Sequence, residues 1–509
     1  MRFTTDGGLF RGLHMKRAYE GAYQYGSRAA YNGVKFDIIL LFSVTNVIRK
    51  FGSKFVWVAL TISGRPKQNV FNPDKFTQRH NLPIPKDPPP YLQRFSSGIC
   101  EREKGLLHSK VSKAEYFAIT RIPQSDSGFN QGSSKSLDPN NVNKVNDEFI
   151  RVVTTAQDGG EHTEFHATVV PKPDVVARSR SNTGLPVNVM MIGIDSTSNA
   201  RFQRALPEAY KYLTDDLKSI VMKGYTIVGD GTTPALTALL TGNFEYELPE
   251  ARRGFAMSQT IDNWPWIFKD YKKSGYATMY SEDGPTVATF NLRLHGFKNP
   301  PTDHFSRYFW QAAAVTNPLC IHGKPQHVIH LDYFETFFEA YSKTPKLGFG
   351  YLSDISHNDQ NTLYLLDGDL TKFLKNFQQR LNDTILIVLS DHGVRYGATR
   401  VMMQGHLEER LPFLSFTFPS WFESQHPEIV KNLRHNVDSV TSPFDLHLTL
   451  HHILSYPDVP KPHKGSRGSS LFAKIPRSRD FALDQLHTRL SDILVHNAVD
   501  ERVYEGGHQ

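Results

Sequence analysis

The sequence predicts an α/β domain with a largely parallel central sheet that is covered by helices on both faces. Strand-like apolar runs alternate with helix-like segments from residue 187 onward, at the spacing of strand–helix–strand units. The clearest run, residues 386–389, is wholly apolar, which is typical of a strand buried on both faces. It ends in Ser390-Asp391-His392-Gly393, and α/β sheets bind ligands at the carboxyl ends of such strands.

Hydrophobic periodicity predicts the individual elements of this domain. Strands are expected at residues 187–194, 225–228, 276–280, 346–352, 384–389 and 411–418. Helices are expected at residues 201–223, 236–240, 261–274, 361–380 and 442–454.

The 509 residues are enough for one large domain with extensions. We predict three parts: an N-terminal region, 1–185, with a candidate anchor and a linker; the α/β domain, 186–475; and a C-terminal tail, 476–509. Within the first part, residues 83–90 are rich in proline, and residues 124–143, rich in Ser, Asn, Gly and Gln, are typical of a loop or linker.

Charge and cysteine content limit the function classes. The net charge is +7, and the basic excess lies in residues 1–185 without clustering on a recognisable binding module, so we expect no nucleic-acid partner. The two cysteines, Cys100 and Cys320, could pair, but one pair does not define the redox compartment. Asn382-Asp383-Thr384 is a glycosylation sequon, which is used only if the chain enters the secretory pathway.

The N-terminal region contains one candidate membrane anchor. The first thirty residues lack the apolar core of a signal peptide. Residues 36–62 are fairly apolar and could associate with a membrane, but Arg49, Lys50 and Lys54 interrupt them before about eighteen apolar residues accumulate. A core strand or helix is the alternative for this segment.

Three segments of the α/β domain carry candidate chemistry. Asp195 follows the first strand as Asp391 follows a later one, and a buried acid is costly unless it is paired or bound to a cation. His392 adds a second type of metal ligand. Thr232 lies in a turn that opens a helix, where backbone N–H groups favour a phosphate or sulfate. The alternatives are a polar turn after the strand and a Thr232 that only caps its helix.

Taken together, these segments resemble the alkaline phosphatase/sulfatase superfamily. Sulfatases carry Cys-x-Pro-x-Arg before a Leu-Thr-Gly ending, and here Thr232 and Leu236 stand where that Cys and Arg would be. Formylglycine forms from that Cys, which this sequence lacks. A Thr in this position is more similar to the nucleotide pyrophosphatase/phosphodiesterase and phosphoethanolamine transferase branches.

A closer resemblance covers residues 187–472. It rests on the order and spacing of short motifs, and it points to the sulfatase-like animal family known as domain of unknown function 229. The motifs are Glu282-Asp283-Gly284-Pro285, Gly296-Phe297, Pro301-Thr302-Asp303-His304, Ser353-Asp354-Ile355-Ser356-His357, Glu408-Glu409-Arg410-Leu411-Pro412-Phe413 and Gly468-Ser469-Ser470-Leu471-Phe472.

The resemblance implies an alkaline-phosphatase-like three-layer α/β/α sandwich and a set of metal ligands. Asp195, Thr232, Asp391 and His392 would hold one ion. Candidates for a second ion are Asp354, His357 and His406. Because Asp354 and His357 are one residue closer than the phosphodiesterase pattern requires, a substrate-binding His357 and a surface-loop His406 are the alternatives.

The function implied is a metal-dependent hydrolase or transferase acting on an anionic phosphate or sulfate ester, with Thr232 as nucleophile. Zn²⁺ suits a mixed imidazole, carboxylate and hydroxyl site, and Mn²⁺ and Ca²⁺ are the alternatives. Related luminal enzymes imply an extracellular or secretory-pathway location. The rival hypotheses are a non-catalytic binding protein on the same fold and a sulfatase that lacks the formylglycine cysteine. The sequence does not define the natural substrate or the oligomeric state.

Overall fold

The structure, a computed structural model, describes residues 111–138, 143–157, 159–313, 319–321, 324–396, 400, 402–461 and 467–476. Its strands, in chain order, are β1 (Val111–Arg121), β2 (Phe129–Gln131), β3 (Lys135–Leu137), β4 (Phe149–Ala156), β5 (Glu161–Ala167), β6 (Asn188–Ile194), β7 (Ile220–Val221), β8 (Ala277–Glu282), β9 (His304–Phe305), β10 (Cys320–Ile321), β11 (Lys324–Pro325), β12 (Lys346–Leu352), β13 (Thr384–Leu389) and β14 (Leu414–Thr417).

Its α-helices, numbered in the same way, are α1 (Pro173–Val176), α2 (Asn199–Ala205), α3 (Pro207–Lys211), α4 (Thr232–Thr241), α5 (Ile267–Lys273), α6 (Arg307–Ala313), α7 (Gln326–Ala340), α8 (Asp354–His357), α9 (Asp367–Phe377), α10 (Met403–Arg410), α11 (Phe422–Gln425), α12 (Pro427–Asn436) and α13 (Pro443–Ser455).

The central sheet has seven strands in the order β7-β14-β13-β6-β12-β8-β9. Strands β13, β6, β12, β8 and β9 run parallel to one another, whereas β14 pairs antiparallel with β13 and β7 pairs antiparallel with β14 at one edge. The prediction of a largely parallel sheet is therefore confirmed. Because parallel strands end at the same edge of a sheet, the residues that follow β13, β6, β12 and β8 are brought together.

Helices cover both faces of this sheet, so the predicted three-layer α/β/α sandwich is also confirmed. Successive residues of β6 alternate between two cores: Val189 and Met191 face one, and Met190 and Ile192 face the other. The first core contains side chains of α4, α5, α12 and α13, and the second contains side chains of α2, α6, α7 and α9. Burial of each large apolar side chain stabilises the fold by about 1.5–3 kcal/mol.

A smaller antiparallel sheet precedes the α/β core, with the order β2-β1-β4-β5 and with β3 paired to β1. It packs on the second helical layer through Phe149, whose ring lies 5.2 Å from that of Phe309 and 5.3 Å from that of Tyr333. The prediction of a loop over residues 124–143 is wrong where β2 and β3 form, because pairing with β1 orders these mostly polar strands and Phe129 of β2 packs, partly buried, against the second core.

The strands predicted at residues 187–194, 346–352 and 384–389 are confirmed within one residue, and those at 276–280 and 411–418 within a few residues. The strand predicted at residues 225–228 is wrong, since Tyr225 makes only an isolated bridge to Thr441. The long helix predicted at residues 201–223 is divided into α2, α3, a π-helical turn and β7. A helix cannot continue through Pro207, which begins α3 instead, and Pro265 likewise delays α5 to Ile267.

The described residues all belong to one compact unit, and the division at residue 186 stays a prediction. Within the described part of the chain, no helix is long and apolar enough to cross a membrane, and the candidate anchor at residues 36–62 lies outside it. Cys320 is disulfide-bonded, and Cys100 lies outside the described residues.

One buried ion-pair network fastens the segment before β6 to the sheet. Asp303 receives two hydrogen bonds from the Arg178 guanidinium, at 2.7 and 2.8 Å, and two from the backbone and hydroxyl of Thr278, both at 2.9 Å. Lys272 Nζ lies 3.1 Å from the same carboxylate. Burial alone would raise the pKa of Asp303, but Arg178 and Lys272 lower it to about 2.

We predict that Asp303→Asn lowers the free energy of unfolding by about 3 kcal/mol at neutral pH, because it removes the buried carboxylate that pairs with Arg178 and Lys272. A depressed pKa stabilises the fold above the unfolded pKa of about 3.9, and that contribution is lost as the pH falls toward 2. Urea unfolding at several pH values measures the difference. The control is Asp174→Asn, which removes an exposed partner 3.6 Å from Arg178 and should cost less than about 1 kcal/mol. Equal losses in both variants would contradict the prediction.

Candidate metal centre and nucleophile

Two buried carboxylates lie side by side at the carboxyl edge of the sheet. Asp195 follows β6 and Asp391 follows the adjacent strand β13, and each is 1% exposed. Asp391 Oδ1 accepts hydrogen bonds from the backbone N–H groups of Ser196 and His392, at 3.1 and 2.8 Å. The Ser196 hydroxyl donates to Asp195 Oδ1 at 2.9 Å. Among the described residues, Asp391 Oδ2 has no hydrogen-bond partner, although it is fully buried.

The imidazole of His392 faces both carboxylates with one defined nitrogen. Its Nδ1 lies 2.7 Å from the carbonyl oxygen of Gly393, and because a carbonyl only accepts, Nδ1 carries the proton. In the neutral ring, Nε2 therefore presents a lone pair. This atom lies 3.1 Å from Asp391 Oδ2 and 3.9 Å from Asp195 Oδ1. A lone pair directed at carboxylate oxygens is repulsive unless a proton or a cation lies between them.

The Thr232 hydroxyl completes the group. Thr232 is the first residue of α4, and its Oγ1 lies 3.4 Å from His392 Nε2. The alternative that Thr232 caps its helix is wrong, because Gly231, with φ of +102°, occupies the N-cap position. The first N–H groups of α4 have no acceptor within the helix, so the hydroxyl lies where an anion is favoured.

Electrostatics show that the two carboxylates are not equivalent. Burial, followed by the charge of Asp391, raises the pKa of Asp195 well above its usual range. Burial also acts to raise the pKa of Asp391, but His392 and the neighbouring hydroxyls outweigh it and lower that pKa. Two ionised carboxylates in such a place are costly without a compensating positive charge.

The donor set fits a divalent cation. One ligand atom each from Asp195, Asp391 and His392 lies within 4.8 Å of the other two, and all three residues are buried. The unpartnered Asp391 Oδ2 and the lone pair of His392 Nε2, which has the Thr232 hydroxyl at 3.4 Å, both face this position. Two carboxylates, one imidazole and a hydroxyl form a mixed set that suits Zn²⁺. The assignment of these residues, with Thr232, as metal ligands stays a prediction.

The candidates for a second ion lie apart from this group. Asp354 Oδ2 accepts a hydrogen bond from Gln326 at 2.7 Å, and burial and Asp283 raise its pKa to about 7. His357 Nδ1 lies 3.0 Å from the side chain of Asn358, and His406 on α10 contacts Arg400. Among the described residues, the single group with metal-ligand spacing does not include Asp354, His357 or His406. A second ion at these residues stays a prediction.

Two further residues at this edge were missed by sequence reasoning. Tyr351, the penultimate residue of β12, is fully buried, and burial and the charges of Asp195 and Asp391 raise its pKa. Its ring needs the glycine at position 193, because a Cβ there would lie 2.3 Å from Tyr351 Cδ2. Arg395 follows His392 by three residues and faces Gly231. A basic residue two positions after Gly393 of Ser-Asp-His-Gly was the available signal for Arg395; Tyr351 carried none.

The fold and this edge define an α/β/α protein with a largely parallel central sheet and a buried carboxylate and imidazole centre. The chain belongs to the family described as Protein of unknown function (DUF229), whose model matches residues 96–485. The closer resemblance found in the sequence is thus confirmed. No curated protein matches the chain.

The chain is similar to several solved structures. One is the C-terminal periplasmic domain of EcEptC from Escherichia coli in complex with Zn, with 15% identity over 55% of this chain and 84% of that chain, and a TM-score of 0.38. Another is the soluble domain of lipooligosaccharide phosphoethanolamine transferase A from Neisseria meningitidis, with 12% identity, coverage of 55% and 92%, and a TM-score of 0.39. A third is a protein in the alkaline phosphatase superfamily from Vibrio parahaemolyticus, with 18% identity, coverage of 55% and 68%, and a TM-score of 0.34.

We predict that zinc stabilises the folded protein through Asp391. At a free zinc concentration of 100 times Kd, the free energy of unfolding should rise by about 2.7 kcal/mol, which raises the Tm by roughly 3 °C. Asp391→Asn should remove both this shift and the bound zinc, because it replaces the anionic ligand with a neutral amide. Thermal unfolding and elemental mass spectrometry measure the two effects.

The control for this measurement is Asp216→Asn, which replaces an exposed acid and should keep the full zinc shift. Zinc that stabilises the Asp391→Asn protein as much as the wild type would show that the ion binds elsewhere.

Proposed function

We propose that this protein is a metal-dependent enzyme that hydrolyses or transfers phosphate esters, or related sulfate esters, with Thr232 as the nucleophile. One observation carries the proposal: the Thr232 hydroxyl lies at the start of α4, 3.4 Å from His392 Nε2, beside two buried carboxylates. A nucleophile, an anion-favouring helix terminus and a candidate cation site are thereby combined in one place.

Each residue has a defined part in the proposed reaction. Asp195, Asp391 and His392 would hold a divalent cation, with Zn²⁺ as the first choice. When bound, the cation supplies positive charge that lowers the pKa of the Thr232 hydroxyl and offsets the charge of the ester oxygens. The hydroxyl oxygen of Thr232 attacks the phosphorus or sulfur atom in line as the ester oxygen leaves, which gives an ester on Thr232. Water or an acceptor alcohol then takes the group from Thr232.

We predict that Thr232→Ala lowers turnover by at least about 10³-fold, because it removes the hydroxyl that would form the ester intermediate. Bound metal and the Tm should change little, since Asp195, Asp391 and His392 remain. The assay measures release of nitrophenol from aryl phosphate monoesters, aryl phosphate diesters and aryl sulfates by the zinc-loaded protein. The same panel separates a phosphoesterase from a sulfatase.

Thr232→Ser is the matched control, because it keeps the hydroxyl and should keep measurable turnover. Turnover that survives in Thr232→Ala would show that another group is the nucleophile. A wild-type protein that binds zinc but turns over no member of the panel, with or without an acceptor alcohol, would instead favour the non-catalytic binding protein.

We also propose that the protein acts outside the cell or in the lumen of the secretory pathway. Two observations support this location. Cys320 is disulfide-bonded, and disulfides persist in oxidising compartments. Asn382 of the sequon Asn382-Asp383-Thr384 is exposed, two residues before the start of β13, so its side chain is accessible to glycosylation.

We predict one N-linked glycan at Asn382 when the full chain is expressed in animal cells. Treatment with a peptide N-glycosidase should increase its electrophoretic mobility, and Asn382→Gln should abolish that change. Asn361→Gln, which alters an asparagine outside any sequon, is the control and should keep the change. A wild-type chain that glycosidase does not shift would contradict the proposed location.

A further inference from the structure

The guanidinium of Arg395 covers the turn from which the Thr232 helix starts. A Cβ placed on Gly231 would lie 2.7 Å from Arg395 Nη1 and 3.1 Å from Cζ. Any larger residue at position 231 would therefore displace the guanidinium, and the φ of +102° at this position also favours glycine. Arg395 and the candidate nucleophile are thus in adjacent positions, although 163 residues separate them in the sequence.

Two side chains, Asp230 and Tyr396, orient the guanidinium. Nη1 donates a hydrogen bond to Asp230 Oδ1 at 2.9 Å, and Nη2 donates one to the Tyr396 hydroxyl at 3.0 Å. The Tyr396 ring centroid is 5.3 Å from Cζ. Both partners are about half exposed, whereas the Arg395 side chain is 23% exposed. Its Nε is buried and has no hydrogen-bond partner among the described residues. The side chain is therefore oriented with one buried N–H group unused.

The charge of Arg395 also acts on the candidate metal centre. It lowers the pKa of Asp195, against the larger raising effects of burial and Asp391. Burial acts to lower the pKa of Arg395, but Tyr396, Asp230 and Asp391 outweigh it and raise that pKa. These electrostatic effects on both carboxylates are consistent with the contact at Gly231, the residue that precedes Thr232.

We propose that Arg395 and the first backbone N–H groups of α4 form a subsite that binds a non-bridging oxygen of a tetrahedral oxyanion, a phosphate or sulfate group, next to Thr232. This inference rests on the proposed function for its substrate class. Asp230 and Tyr396 are positioning residues, because they act on the anion through the guanidinium. A fixed guanidinium can offer an oxyanion two N–H groups at once, whereas a lysine offers a single point charge.

Binding of inorganic phosphate tests the subsite without turnover. In the zinc-loaded Thr232→Ala protein, isothermal titration calorimetry should detect phosphate binding, and adding Arg395→Met should weaken it by about 10- to 100-fold. Adding Arg395→Lys instead should restore part of the affinity. Bound zinc and the Tm should be the same in all three proteins, because Arg395 is not among the candidate ligands.

The matched control is Arg434→Met, added to Thr232→Ala. Arg434 is also paired with an acid, Glu423, but it lies on α12 and its side chain is 54% exposed, so its loss should leave phosphate affinity unchanged. Phosphate affinity that is unchanged in Arg395→Met, or equally reduced in both methionine variants, overturns the subsite. Failure to bind phosphate in the parent protein also overturns it.

The enzyme assay distinguishes this inference from the proposed function. If the wild-type protein turns over esters and Arg395→Met keeps the same KM and kcat, the proposed function stands and the subsite is wrong. If phosphate binding depends on Arg395 but no ester is turned over, the subsite stands and the catalytic proposal fails.

Discussion

The structure around the candidate site depends on one constraint, the placement of two carboxylates at the ends of neighbouring parallel strands. Pairing of β6 with β13 fixes Asp195 and Asp391 side by side, where each is 1% exposed. Desolvating a carboxylate costs several kcal/mol, and a second one nearby adds repulsion. Backbone and hydroxyl donors from Ser196 and His392 offset part of this cost, but one buried oxygen remains unpartnered among the described residues. That imbalance makes a cation the natural complement.

Glycines allow the surrounding groups to approach this pair. Without a side chain at position 193, the Tyr351 ring lies against β6, and a Cβ on Gly393 would lie 2.1 Å from the carbonyl oxygen of Glu408. Gly231 similarly admits the Arg395 guanidinium. At positions 193 and 393 these contacts exclude any larger residue, and at position 231 the φ of +102° also favours glycine. The centre is therefore enclosed by segments that are far apart in the sequence, and packing holds their backbones at fixed distances.

Sequence reasoning succeeded where a single strand carried the signal. The wholly apolar run before Asp391 and the run before Asp195 each predicted a buried strand, and their order placed both acids at one sheet edge. It failed where pairing with distant segments determines the secondary structure. The mostly polar β2 and β3 form strands, whereas Tyr225, which looks like a strand residue, makes one isolated bridge. Arg395 was missed for the same reason, because its contact with Gly231 depends on how the loop after β13 folds back.

The acids at this edge differ in their hydrogen-bond partners, although they occupy similar positions after their strands. Asp283 and Asp354 also follow parallel strands, but the first accepts from the Ser353 backbone at 2.6 Å and the second from the Gln326 amide at 2.7 Å. These contacts tie β8, β12 and α7 together, so one oxygen of each carboxylate already has a partner within the fold. Asp391 instead leaves a buried oxygen without a partner, facing an imidazole lone pair. The distinction favours one cation, held at the ends of β6 and β13, over two.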